Sequence, residues 1–278
     1  MARRTLAATT SRSGVGLHTG AQTTVHLAPG APGVGIRFQR ADLPGQPMVS
    51  ARVAQVDATE RRTGLADGAT SVQTVEHLLA ALFALQVDDC LITLDGPEPP
   101  ILDGSFRPWL ELIEAVGVEE REGEPAVLRV TTPFTVGVVA PLVTTMSASF
   151  LVTPDVFRQE IAPARTFGFL HEVAALQARG LLQGASPEVA VVLSEDGIAS
   201  GTLHWPDEFV RHKIGDIIGD LSLLGARLEA HIIAERPSHQ GNVALARALA
   251  RLAARSDATR VDVTRIMDVL PHRYPFLL

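Results

Sequence analysis

Apolar residues recur at spacings of three and four through Phe209, Ile214, Ile217, Ile218, Leu221 and Leu224, a pattern that predicts an amphipathic helix over 207–221. Pro206 and Asp207 are its start signals and Gly225 its stop. A second helix is expected over 74–85, with Thr74 as N-cap and Leu78, Leu79, Leu82 and Leu85 on the apolar side. Further helices are predicted over 106–116, 154–159 and 172–179. Alternating or β-branched runs mark strands near 5–10, 23–27, 34–38, 90–94, 190–193 and 228–234, with glycine-rich turns at 14–20 and 30–33.

The charged, structure-breaking run Arg121-Glu-Gly-Glu-Pro125 divides the chain into 1–122 and 123–258, followed by a distinct tail over 259–278. A faint repeat spans the first two segments. In each, a histidine near the start of a helix (His77, His212) precedes a strand, so a pseudo-twofold would turn both histidines toward an inter-domain cleft.

Composition narrows the class. The chain has 278 residues, a net charge of −7 and no sustained basic run, which argues against a nucleic-acid partner. The pairs Arg3-Arg4 and Arg61-Arg62 read as surface. The single cysteine, Cys90, lies in an apolar strand and permits no internal disulfide, which fits a reducing, cytoplasmic compartment. No secretory leader is read at the start of the chain, where Thr9-Thr-Ser-Arg-Ser13 stands in place of an apolar core. Residues 130–154 carry no charge, but Pro133, Pro141 and many hydroxyl side chains make 130–152 two or three strands; no transmembrane segment is expected.

On the 207–221 helix, His212, Asp216 and Asp220 fall four residues apart on one stripe. The same spacing suits a solvated charged face or one metal ion. With His77, the pair His212 and Asp216 makes a two-histidine, one-carboxylate set of the kind that suits catalytic zinc. Glu76, next to His77, is placed to act as general base. His239, on an expected loop, is a proton donor for the leaving group, with Asp220 to orient it and keep it charged.

Five strings then resemble one family in the right order: Gly14-Val-Gly-Leu-His-Thr-Gly20, Thr74-Val-Glu-His-Leu-Leu-Ala-Ala-Leu82, Pro100-Ile-Leu-Asp-Gly-Ser105, Ala164-Arg-Thr-Phe-Gly-Phe169 and Phe209-Val-Arg-His-Lys-x-x-Asp-x-x-Gly-Asp-Leu221. They are similar to the UDP-3-O-acyl-N-acetylglucosamine deacetylases, zinc amidases of lipid A synthesis. The resemblance implies an α+β fold of two related two-layer α/β sandwich domains with the zinc site at their interface. It implies His77, His212 and Asp216 as ligands, Glu76 as base, and His239 with Asp220 as stabiliser and acid. It further implies Thr166 as an oxyanion donor, Phe167 and Lys213 as contacts to an acylated UDP-amino sugar, and Leu17 at the entry to an acyl-chain passage. The departing amine takes its proton from Glu76 or His239.

Two departures stand out. The family's Asp-Phe-x-His-Pro segment, which helps hold uridine, has no counterpart between Val130 and Ala164, and a binding protein that kept the fold without the chemistry is the alternative reading. Residues 266–278, Ile-Met-Asp-Val-Leu-Pro-His-Arg-Tyr-Pro-Phe-Leu-Leu, resemble the opening of the β-hydroxyacyl-carrier-protein dehydratases, so a fused dehydratase domain is an expected partner and His272 is given no catalytic role.

Overall fold

Period-two patterning in the first half does build sheet. The computed structural model describes residues 1–130, 136 and 147–255. Its first half runs β1 (Arg3–Leu6), β2 (Thr10–Val15), β3 (Gln22–Pro29), β4 (Ile36–Arg40), β5 (Met48–Ser50), β6 (Val56–Ala58), β7 (Gly64–Asp67), β8 (Thr70–Val72), α1 (Glu76–Ala84), β9 (Cys90–Leu94), α2 (Arg107–Val116) and β10 (Val118–Arg121). Five strands form one sheet in the order β2-β3-β9-β4-β5, in which only β4 and β9 run parallel. Leu27, Ile92 and Phe38 stand opposite one another on adjacent strands and are all fully buried, so one face of the sheet is core. Cys90 belongs to that buried set, as expected.

The second half runs β11 (Val127–Arg129), α3 (Pro154–Val156, continuing as a π-turn over Phe157–Ile161), β12 (Phe167–Phe169), α4 (Leu170–Ala178), β13 (Val191–Ser194), β14 (Gly197–Ser200), α5 (Glu208–Ser222), β15 (Arg227–Glu229) and α6 (His239–Arg255). β12, β13 and β14 form a small sheet, and β11 pairs in parallel with β15. The fold is α+β, and its two halves meet where α1 packs against α5, which in turn packs against α6. The helix-then-strand order recurs as α1–β9 and α5–β15.

Several elements differ from their sequence reading for identifiable reasons. α1 has no exposed apolar-polar division: every residue but Phe83 is buried, because the helix is enclosed by core on one side and α5 on the other. Thr74 is not its cap; it stands outside the helix at φ +52° and gives its hydroxyl to Glu98 at 2.5 Å. The strand expected over 228–234 stops at Glu229, where its partner β11 also ends. His239 is not on a loop. It opens α6, whose start is capped by the Ser238 hydroxyl accepting from the Gly241 amide, with Val243, Ala246, Leu249 and Leu252 buried beneath. Arg3 is no surface residue either, since its guanidinium forks onto the buried Asp89 with two contacts of 2.7 Å. The strands expected over 130–152 fall largely on residues outside the described ones. Among the described residues no helix is long and apolar enough to cross a membrane.

Two glycines let α5 approach this closely. A Cβ on Gly219 would lie 2.2 Å from the Glu76 carbonyl oxygen, and one on Gly215 would lie 2.3 Å from the Phe106 ring. Gly219→Ala gains about 1 kcal/mol of helix propensity, yet it forces backbone against backbone, and overpacking of this kind costs roughly 1–3 kcal/mol or more. We expect a net destabilisation, read as a lowered urea midpoint; a midpoint equal to or above wild type would contradict the packing described.

Candidate metal centre and active site

The α1–α5 contact carries the chemistry. His77 sits in the first turn of α1 and His212 and Asp216 one turn apart on α5, and one donor atom from each lies within 4.8 Å of the other two. All three side chains are buried. Asp216 Oδ1 lies 3.3 Å from His212 Nε2 and 4.0 Å from His77 Nε2 and has no hydrogen-bond partner, a buried polar atom left without satisfaction. His212 Nδ1–H donates to the Ala164 carbonyl at 3.0 Å, which fixes the tautomer and leaves Nε2 with its lone pair free. Phe106 backs both rings, stacked on His212 at 4.9 Å and tilted against His77 at 4.7 Å, and Gly215 provides the space for it.

Electrostatics favour the same use. Burial pushes His77 down to about 3, with His212 adding to the effect, and burial likewise holds His212 below its ordinary value, so both are neutral bases near pH 7. Burial would raise Asp216, but Lys213 and the neighbouring histidines outweigh it and keep the carboxylate well below its usual range. Two neutral imidazole nitrogens and one carboxylate oxygen, converging on one space with that oxygen unpartnered among the described residues, fit a divalent transition metal of the zinc type.

Around this trio stand three ionisable groups with little solvent. Burial raises Glu76 to about 7, opposed by His239 and assisted by Asp220 and Asp216. A dication at the trio would pull that value back down. Burial alone would lower His239, yet the carboxylates of Asp220 and Glu76 lift it to about 9. Its Nδ1 donates to Asp220 Oδ2 at 2.9 Å, and its Nε2 faces Glu76 Oε1 at 3.8 Å and Asp216 Oδ2 at 3.9 Å.

The model of the family described as UDP-3-O-acyl N-acetylglycosamine deacetylase matches residues 3–140 and 135–251. The chain belongs to this family. A UDP-3-O-acyl-N-acetylglucosamine deacetylase from Thermosynechococcus vestitus is 43% identical across 90% of this chain and 94% of its own. One from Chlamydia abortus is 39% identical across 88% and 96%. A bifunctional enzyme LpxC/FabZ from Bacteroides thetaiotaomicron is 35% identical across 99% of this chain and 72% of its own.

Within this deacetylase-family chain the remaining candidate residues are placed unequally. Thr166 and Phe167 lie two and three residues after Ala164, the acceptor of His212, and the segment is held to the first turn of α5 by Arg165, whose main-chain N–H and guanidinium both bond the fully buried Glu208. Phe167 is half-buried and packs on Phe209 at 4.7 Å. Lys213 is not a free surface cation: it bonds Asp216 Oδ2 at 2.8 Å and its ammonium lies 5.5 Å from the Phe167 ring centroid. Leu17 is buried in the 16–20 turn, against 182–184, with the Gly184 amide donating to its carbonyl at 3.0 Å.

Sequence reading overlooked several partners. Glu98, fully buried, accepts from the main-chain amides of His18 and Thr19 and the hydroxyls of Thr19 and Thr74, and so ties the Leu17 turn to the residues leading into α1. Asn242 donates to Asp220, and Thr63 touches Glu76, Asp220 and His239. The interior glycines 215 and 219 were a legible sign of close packing on α5, but they meet Phe106 and Glu76 and none of these partners. Nothing local marked Thr63.

Proposed function

We propose that the chain is a zinc-dependent N-deacetylase that converts UDP-3-O-acyl-N-acetylglucosamine and water into the free amine and acetate, a step of lipid A synthesis. What carries this reading is the buried His77–His212–Asp216 trio with a buried, protein-anchored carboxylate beside it, in a chain about 40% identical to named deacetylases. Zinc held by those three side chains would polarise the acetamide carbonyl and bring the pKa of water toward about 7.

The chain's own residues do the rest. Glu76 is anchored at Oε2 by the Thr63 amide, at 3.0 Å, which leaves Oε1 to take the proton of the attacking water. His239, charged through its bond to Asp220, directs Nε2 to the same space as Glu76 Oε1 and stabilises the charge that develops on the carbonyl oxygen. Thr166 is assigned as a second donor to that oxygen, Lys213 and Phe167 as contacts to the nucleotide sugar, and Leu17 as the entry residue for the acyl chain. The amine leaves protonated by Glu76 or His239.

We place the division between the two deacetylase domains at 122/123. In support, β10 pairs with β1 while β11 pairs with β15, so the chain passes from one half to the other across this point. The tail from 259 lies outside the described residues; its dehydratase-like sequence and the similarity to a bifunctional LpxC/FabZ enzyme support a fusion partner. A cytoplasmic location is supported by a single, buried, unpaired cysteine.

The lack of an Asp-Phe-x-His-Pro segment favours a second reading, a binding protein without turnover. Acetate release separates the two. The zinc-loaded chain given the acylated nucleotide sugar should release one acetate per amine formed; binding of that sugar without release would establish the second reading.

A further inference from the structure

We infer that Thr63 is a positioning residue for this reaction, whose hydroxyl locks Asp220 and thereby the Nδ1–H orientation of His239, while its main-chain N–H holds Glu76. The inference rests on the deacetylase reading above. Thr63 is fully buried just before β7, and among the described residues it is the one that bonds to Glu76, Asp220 and His239 alike.

Hydrogen-bond direction follows from counting protons. The Thr63 hydroxyl has a single proton, and the Asp220 carboxylate, which can only accept, takes it at 2.5 Å. Oγ1 therefore meets His239 Nδ1, 3.2 Å away, as an acceptor. Asp220 Oδ2 accepts from Nδ1–H at 2.9 Å and from the Asn242 amide at 2.9 Å. With Oδ1 held by Thr63 and Oδ2 by two further donors, the carboxylate cannot rotate without breaking a buried hydrogen bond and leaving a buried polar group unsatisfied. Nδ1 keeps its proton under this arrangement, and Nε2 is left as the atom that exchanges one on the side of Glu76 Oε1. A tie of the same kind on Glu76 Oε2 presents Oε1 to the same side. One threonine thus sets Glu76 and His239 relative to each other, although they come from α1 and α6.

Thr63→Val keeps shape and the main-chain N–H but removes the hydroxyl. With the zinc-loaded chain and the acylated UDP-N-acetylglucosamine, kcat should fall about 10–100-fold, the range seen when a partner orienting a functional side chain is lost. KM should stay within about threefold and zinc content should not change, since Thr63 touches none of the ligand atoms. Thr63→Ser, which restores the hydroxyl, should return kcat to within about threefold of wild type. In parallel, the Nδ1–H proton of His239, assigned by its loss in His239→Ala, should be a sharp, slowly exchanging resonance in wild type and Thr63→Ser and broadened or lost in Thr63→Val.

A Thr63→Val enzyme within twofold of wild type, or one whose loss serine does not rescue, would overturn the inference. Should Thr63→Val fail to fold, the wild-type and Thr63→Ser spectra decide: an imidazole with Nδ1 unprotonated overturns it. The spectra do not depend on turnover, so a wild-type chain that releases no acetate would count against the deacetylase reading, and a wrong tautomer against the orientation of His239 by Asp220 and Thr63.

Discussion

Glu76→Gln is expected to lower kcat by about 1,000-fold, in the middle of the 10²–10⁴ range that a positioned general base contributes, with zinc content unchanged. Glutamine preserves the shape of the side chain, and its carbonyl oxygen can still accept the Thr63 amide that now holds Glu76 Oε2 at 3.0 Å. Its other terminus is an amide that cannot take a proton from water. No atom of Glu76 belongs to the trio, so the metal should stay. In the metal-free chain stability should hold or rise, because burial disfavours the charged form of Glu76 there. Kinetics and metal analysis on the same preparation check this. A variant that keeps more than a tenth of wild-type kcat would place the base elsewhere, and one that loses its zinc would make Glu76 part of the metal site.

Much of the site was legible because it lies on the most regular elements. α5 shows its period plainly, and on a helix the spacing of four puts His212 and Asp216 on one stripe whatever surrounds them. His77 could be joined to them only through the weaker argument of a repeat, and through the resemblance, because α1 and α5 are distant in sequence. Burial was less legible than identity. α1 looked amphipathic but is enclosed, since what covers its second face is α5, an element more than a hundred residues away.

Helix starts were misread where the cap comes from outside the local pattern. Thr74 fits every N-cap preference, yet its hydroxyl is drawn to Glu98. His239 looked like a loop residue because Ser238, His239, Gln240 and Gly241 carry no apolar period, although Ser238 is the cap of a 17-residue helix. Thr63 was not legible at all. Its two side-chain partners lie 157 and 176 residues further along the chain, a distance over which no periodicity or capping rule reaches.

The ligand set is tested by removing one member. In His212→Ala the trio loses Nε2 and keeps a single imidazole and a carboxylate; the Ala164 carbonyl and the Phe106 ring lose the group they orient. Losing a partner that merely orients a ligand costs about 10–100-fold in metal affinity, and losing the ligand itself should cost more. Turnover should fall with zinc occupancy and should not return when the variant is given stoichiometric zinc. Gly215 and Phe106 remain, so the helix pair should still assemble, and a near-normal unfolding midpoint separates lost metal from lost fold.

The decisive measurement is zinc per chain in the purified wild-type protein beside His212→Ala, each before and after dialysis against a chelator. The account predicts about one zinc per wild-type chain, removable by the chelator with loss of acetate release and restored by one added equivalent, and almost none in His212→Ala. Wild-type protein that takes up no zinc, or that releases acetate at full rate without it, would contradict the metal-dependent deacetylase.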